Sequence, residues 1–272
     1  MLAAGDVESK LVAGGQSLVP MMAMRLTRPA RLIDINDIAA LKFVALETET
    51  VRIGACTRQC VIARDDALAA RVPLLRQALA WVGHVQTRNR GTVGGSLVHA
   101  DPAAELPLAA QILGATMVLR SKSGARTLTA AEFFTGPLMT AAASDECLEE
   151  IRWPVWSGRT GSAFTEVSRR HGDFAIIAAA AQITLKSDGR CARVSFGLSG
   201  GGSIPLAFPK LAERLNGTRF DDADVESIVQ EAAVEFDPGG DLHASAGYRK
   251  HLAAVLAARA LRAAHDNAMS TQ

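Results

Sequence analysis

Clustered cysteines, net charge and long apolar runs are all missing from this sequence, and each absence removes a class of function. The four cysteines, Cys56, Cys60, Cys147 and Cys191, are scattered, with only one Cys-x3-Cys pair close together. An iron–sulfur cluster needs about four thiolates, usually with close spacings, so any iron in this protein's chemistry lies on another chain. The same scatter argues against a disulfide framework and reads as reduced, mostly buried thiols. The six histidines form no HExxH or comparable pattern, so no metal site is nominated. With 29 Lys+Arg against 28 Asp+Glu, a net charge of +1 gives no footing for nucleic acid or another polyanion. No apolar run approaches the roughly 20 residues of a spanning helix. The start, MLAAGDVESK, lacks the charged-then-apolar pattern of a secretory signal. Together these features predict no transmembrane segment and a cytoplasmic protein.

What is present is a globular chain of 272 residues with 49% hydrophobic residues, long enough for two domains with sizeable cores. Short apolar runs, KLVAGG and RLIDIN, read as strands around a helix over residues 17–26, and residues 43–55 read as two strands around a polar turn. A helix over residues 57–70 opens with Thr57 as a candidate cap, and another over 73–83 carries Pro73 in its first turn and Gly83 at its end. Residues 84–107 show no periodicity and are rich in Gly, Arg and Asn, the texture of a functional loop. Then come a helix from Pro102, with Asp101 as its cap, a hairpin turning at Lys122, and a strand stopped by Pro154. The Pro/Gly/Ser-rich segment 154–162 is the candidate boundary. Beyond it, a long hairpin turning at Ser187 and terminal helices make an α+β unit.

Two loops carry the chemistry. One is Ala13, Gly14, Gly15, Gln16, Ser17; the other is Gly91, Thr92, Val93, Gly94, Gly95, Ser96. Either alone is ordinary loop punctuation. Neither is a Rossmann fingerprint or a P-loop. As a pair, each offering backbone N–H groups and a terminal serine hydroxyl, they could hold the two phosphates of a dinucleotide from opposite sides without net positive charge.

The stretches LVAGGQSLVPMMAMRLTRPARLIDIN, RNRGTVGGSLVHADPAAELP, AFTEVSRRHGDFAI and ASAGYRKHLAAVLAARAL resemble, in order and over nearly the whole chain, the FAD-binding medium subunit of the molybdenum hydroxylases, the carbon monoxide dehydrogenase and xanthine dehydrogenase family. The resemblance implies an α+β fold. An FAD-binding domain of the vanillyl-alcohol-oxidase/PCMH type would occupy residues 1–156, and a smaller carbon monoxide dehydrogenase flavoprotein-like domain residues 160–266. It implies FAD on Ala13, Gly14, Gly15, Gln16 and Ser17 and on Thr92, Val93, Gly94, Gly95 and Ser96, with Asp101, Glu105 and Leu148 as further contacts. A β-branched residue at Gly15 or Gly94 would then stand where phosphate belongs. Asp101 retains its reading as a helix cap, and Leu148 its reading as core.

Partners are implied too: a small subunit with two [2Fe–2S] clusters, a large molybdopterin subunit, and a dimer of heterotrimers. Electrons would arrive singly from iron–sulfur, cross the FAD and leave in pairs to an external acceptor, with the cofactor supplying the chemistry and no side chain acting as catalytic acid or base. His84, His99 and His171 could tune a flavin proton or be ordinary polar contacts. Two departures stand out. Thr165 and Glu166 occupy the place where many relatives have a lysine, which leaves Arg169 or Arg170 for any cationic contact. Relatives also begin with an extra strand and helix before the first loop, so the first strand here is expected to expose an unpaired edge and the reading frame to continue upstream. A self-sufficient flavin oxidoreductase and a flavin-free structural subunit are the rival readings.

Overall fold

The computed structural model describes residue 2 and residues 8–271. The opening stretch, on which the reading of a start without a secretory signal rests, lies largely outside the described residues. β1 (Ser9–Val12), α1 (Leu18–Ala23) and β2 (Arg31–Asp34) form a βαβ unit whose strands pair in parallel, Val12 opposite Asp34. This unit is thinly packed. No residue of α1 is buried, and the local core is Ile35, Leu41 and Cys56 backed by a few half-buried neighbours. Parallel strands normally need cover on both faces, yet among the described residues β1 has a strand on one side only.

β3 (Val44–Leu46) and β4 (Thr50–Gly54) open a second layer. α2 (Gln59–Arg64), α3 (Asp66–Arg71), α4 (Pro73–Leu79), α5 (Val85–Arg90), α6 (Val93–His99) and α7 (Glu105–Leu113) follow. Next come β5 (Thr116–Ser121), β6 (Gly124–Thr129), α8 (Ala130–Phe133), β7 (Phe134–Gly136), β8 (Met139–Thr140) and β9 (Cys147–Pro154). Five of these strands make an antiparallel sheet in the order β3-β4-β9-β5-β6. Every residue of α7 except Gln111 is buried, as expected of a helix apolar all round.

The structure revises three local expectations. The helix expected over 57–70 is two helices, because Asp65 leaves helical geometry and its carboxylate accepts from Leu68 N at 2.9 Å to cap α3. Thr57 caps nothing; its hydroxyl donates to the Phe43 carbonyl at 3.0 Å. The stretch 84–107 is not a continuous loop, since it folds into α5 and α6. The helix from Pro102 begins instead at Glu105 after Ala104, and Asp101 closes a turn by accepting from Ala103 N at 2.8 Å.

The second unit is a four-stranded antiparallel sheet of β10 (Arg159–Val167), β11 (Ile177–Leu185), β12 (Cys191–Ser199) and β13 (Leu206–Ala207), with α9 (Pro209–Glu213), α10 (Asp222–Phe236) and the long α11 (Ala246–Ser270). Ser245 caps α11 by accepting from Tyr248 N at 3.3 Å. Small residues bring α11 close to the sheet: a Cβ on Gly161 would collide with the backbone at Ala264 and Ala268. The other face of this sheet packs on the first unit, where Phe164, Ala178 and Ala180 join its core. Ser162 and Gln77 exchange hydrogen bonds across the seam at 3.1 Å, Ser195 donates to the Ile112 carbonyl at 2.8 Å, and Gly200 N to the Pro102 carbonyl at 3.0 Å. The seam therefore fixes the second unit against the end of α7. No helix among the described residues is long and apolar enough to cross a membrane.

Candidate functional site

A cleft of about 550 Å³ opens between the βαβ unit, the five-stranded layer and the edge of the second unit. Ala13, Gly14, Gly15, Gln16 and Ser17 line it from one side, and Thr92, Gly94, Gly95 and Ser96 from another. Asp101, Glu105 and Leu148 complete the wall. Of the residues expected from sequence, Val93 alone is elsewhere. Its side chain is 1% exposed and belongs to the core of the first unit, because helical geometry turns it away from the cleft.

The first loop is held from behind and open in front. Asn36, just past β2, donates from Nδ2 to the Ala13 carbonyl at 2.6 Å and to Asp34 Oδ1 at 2.7 Å. Arg58 Nη2 in turn donates to Asn36 Oδ1 at 2.7 Å, and its other arm bonds the Arg90 carbonyl. The Asn36 hydrogen bonds hold the Asp34 carboxyl below the usual range. A Cβ on Gly14 would strike the Arg90 carbonyl, so glycine there lets the two loops touch backbone to backbone. Gly15 takes φ +72°, which disfavours any side chain. Among the described residues, the N–H groups of Gly14, Gly15, Gln16 and Ser17 have no hydrogen-bond partner. Four neighbouring free donors on a cleft wall suit an anion of the size of a diphosphate.

The second loop is different. Val93 N donates to the Thr57 carbonyl at 3.0 Å, Gly94 N to the Ala55 carbonyl at 2.9 Å, and Gly95 N to Thr92 Oγ1 at 3.0 Å, the cap of α6. Its donors are thus largely used within the chain. A Cβ on Gly94 would lie 2.5 Å from the Ala55 Cβ and 2.7 Å from the Ala55 carbonyl oxygen. Gly94 is therefore required by packing on the end of β4, and a side chain there meets protein rather than phosphate. The Ser17 and Ser96 hydroxyls have no partner among the described residues.

Two buried carboxyls mark the back of the site. Glu105, 5% exposed, is pushed up to about 7 by burial; Asp101 adds to the shift, while its own backbone N–H and Arg88 oppose it. Glu166 on β10 is pushed up to about 9 by burial and then by Glu105. His99 lines the cleft and is held low by burial, with Asp101 opposing. Cys147, beside Leu148, is raised to about 11 by burial.

Sequence reasoning missed the contribution of the second unit. Gly172, Asp173 and Phe174, between β10 and β11, reach the cleft, and Phe174 is 62% exposed at its mouth. His171 stacks on Trp81 with ring centroids 5.6 Å apart, which seats this segment on the first unit. The motif RRHGDF was visible, but its neighbours were not. Arg169 and Arg170, the expected cations, do not line the cleft. Lys10 does, and Arg90 lines an adjoining cavity of about 420 Å³ behind the first loop. His84 and His171 lie beside the cleft rather than on its wall.

Residues 1–156 match the family described as FAD binding domain in molybdopterin dehydrogenase, and residues 162–264 match the CO dehydrogenase flavoprotein C-terminal domain. The chain is 36% identical over 272 residues to the 6-hydroxypseudooxynicotine dehydrogenase complex subunit alpha of Paenarthrobacter nicotinovorans, covering 100% of this chain and 92% of that protein. It is 39% identical to the caffeine dehydrogenase subunit beta of Pseudomonas sp. strain CBB1, over 98% of this chain and 90% of the relative. Among solved structures, carbon monoxide dehydrogenase from Hydrogenophaga pseudoflava superposes with a TM-score of 0.94 at 34% identity, covering 98% of this chain and 92% of that one.

Proposed function

Because the chain belongs to the FAD-binding medium subunits of the molybdenum hydroxylases, we propose that its cleft holds FAD with the diphosphate on the open backbone donors of Gly14, Gly15, Gln16 and Ser17. The flavin, when bound, supplies the exchange between single-electron and two-electron carriers. The chain's own part is to bind, orient and shield. The Arg58, Asn36 and Ala13 latch keeps the first loop preorganised, which limits the entropy lost on binding. Thr92, through Gly95, fixes the N-terminus of α6, whose half-buried Ser96 hydroxyl adds a contact. Leu148 and Phe174 give apolar cover on two sides, and Glu105 stands at the inner wall as a polar contact.

Electrons reach this subunit from the [2Fe–2S] clusters of a small partner, a large molybdopterin subunit performs the substrate chemistry, and an external acceptor takes the electrons, in a dimer of heterotrimers. The absence of clustered cysteines supports placing the iron on a partner. The observation that carries the reading is the row of four N–H groups on the cleft wall that have no partner among the described residues. The test is acid precipitation of the purified complex. One FAD per copy of this chain should appear in the supernatant; a colourless complex that still assembles would select the flavin-free structural reading.

A further inference from the structure

The segment 168–176 leaves β10, reaches the mouth of the cleft and returns as β11. Its front end is seated on the first unit: His171 stacks on Trp81, and a Cβ on Gly172 would meet the His84 ring and the Gly83 carbonyl. Gly172, Asp173 and Phe174 then line the cleft, with Phe174 exposed and part of neither core. The back end is tied twice. Ile176 N donates to the Val167 carbonyl at 2.8 Å, and the Ile176 carbonyl accepts from Arg249 Nη1 at 2.9 Å. The same nitrogen donates to the Gly200 carbonyl at 2.8 Å, and Arg249 Nη2 to Asp241 Oδ2 at 2.6 Å.

Arg249 is buried in the opening turns of α11, where the helix dipole disfavours a cation. Burying a guanidinium also costs energy that only its partners offset. Neither helix formation nor apolar packing accounts for it; the groups it grips do. Gly200, at φ +100°, lets the grip close, because a Cβ there would lie 2.8 Å from the Ile176 carbonyl oxygen. Gly200 N in turn donates to the Pro102 carbonyl at 3.0 Å, next to Asp101 on the cleft wall. Asp241 completes the clamp from outside, its carboxylate also accepting from His243 N at 2.8 Å and Ala244 N at 3.0 Å.

We propose that Arg249 is a positioning residue of the cleft, whose guanidinium holds the Phe174 segment at the mouth and slows escape of the bound flavin. Arg249 does not itself line the cleft; it acts through Ile176, two residues beyond Phe174. The proposal rests on the reading of the cleft as the flavin site.

Arg249→Met keeps a long side chain and removes every donor. In the full chain without flavin, hydrogen exchange should quicken at least about tenfold at the amides of residues 173–177 and stay unchanged in β5 and β9. The FAD-loaded chain should release FAD at least about tenfold faster, read by fluorescence after dilution. Phe174→Ala should do the same. The double variant should match Phe174→Ala to within about threefold, because the clamp works only through that segment. A general loosening of the fold would instead multiply the two effects. Multiplied effects, or unaltered release in Arg249→Met, would overturn the proposal. If Arg249→Met does not fold, Asp241→Asn loosens the clamp from its half-exposed end; its smaller acceleration should vanish beside Phe174→Ala, and one that persists there overturns the proposal. Faster exchange at residues 173–177 in a chain that takes up no FAD would support the hold on the segment and overturn the flavin reading alone.

Discussion

The loops at residues 13–17 and 92–96 look alike on paper, small residues around a glycine pair closed by a serine, and they use their glycines for different ends. In the first, backbone N–H groups have no partner among the described residues and the loop is latched from behind by Asn36 and Arg58. In the second, the N–H groups of Val93, Gly94 and Gly95 are bonded within the chain, and Gly94 fits against Ala55. The first sits on a thin unit whose helix buries nothing; the second is rooted in the main core. A glycine pair thus reports that something approaches the backbone closely. It does not report whether that something is a ligand or the chain itself.

Substitution at the two glycine pairs is the most direct way to break this contrast. Gly94→Val should have the largest effect: a loss of stability on the order of 3 kcal/mol or insolubility, read by denaturant unfolding, because the new side chain overlaps Ala55. If the variant keeps its stability and loses only flavin, the second loop is a ligand loop like the first and the contrast fails. Gly15→Val should behave in the opposite way. Its left-handed φ of +72° costs a branched residue roughly 1–2 kcal/mol, and the nearest atom, Val19 Cγ2 at 3.2 Å, is a side chain with room to yield. The protein should fold, while flavin affinity drops at least about tenfold by fluorescence titration. Thr92→Ala sharpens the comparison with the smallest change. It removes the cap on Gly95 N, costing about 1 kcal/mol of stability, and should alter flavin affinity by no more than about threefold.

Where signals were local, the sequence was legible. Alternation and turn residues located β5, β6, β11 and β12, and the hairpin turns fall at Lys122 and Ser187 as expected. Those strands carry their own period, and Gly124 and Gly189 both take positive φ beside the turns. Local reading failed where packing overrode propensity. The Gly- and Arg-rich stretch 84–107 folds into helices because Val93 and Leu97 are buried against the first core. The helix expected over 57–70 breaks because Asp65 supplies a better cap than a helical turn would.

For the site, the sequence by itself determined the chemistry: two glycine loops, too few clustered cysteines for iron, and motifs that resemble a flavin subunit from end to end. Tertiary structure decided which groups are available for it. Phe174, Lys10 and the Asn36 latch come from separate segments of the chain, and the second unit reaches the cleft only because its sheet packs against α4 and α7 of the first. A side chain's type is written in the sequence, but whether its polar atoms meet water, a ligand or their own backbone depends on what the fold brings against them, and burial with pairing sets their energy.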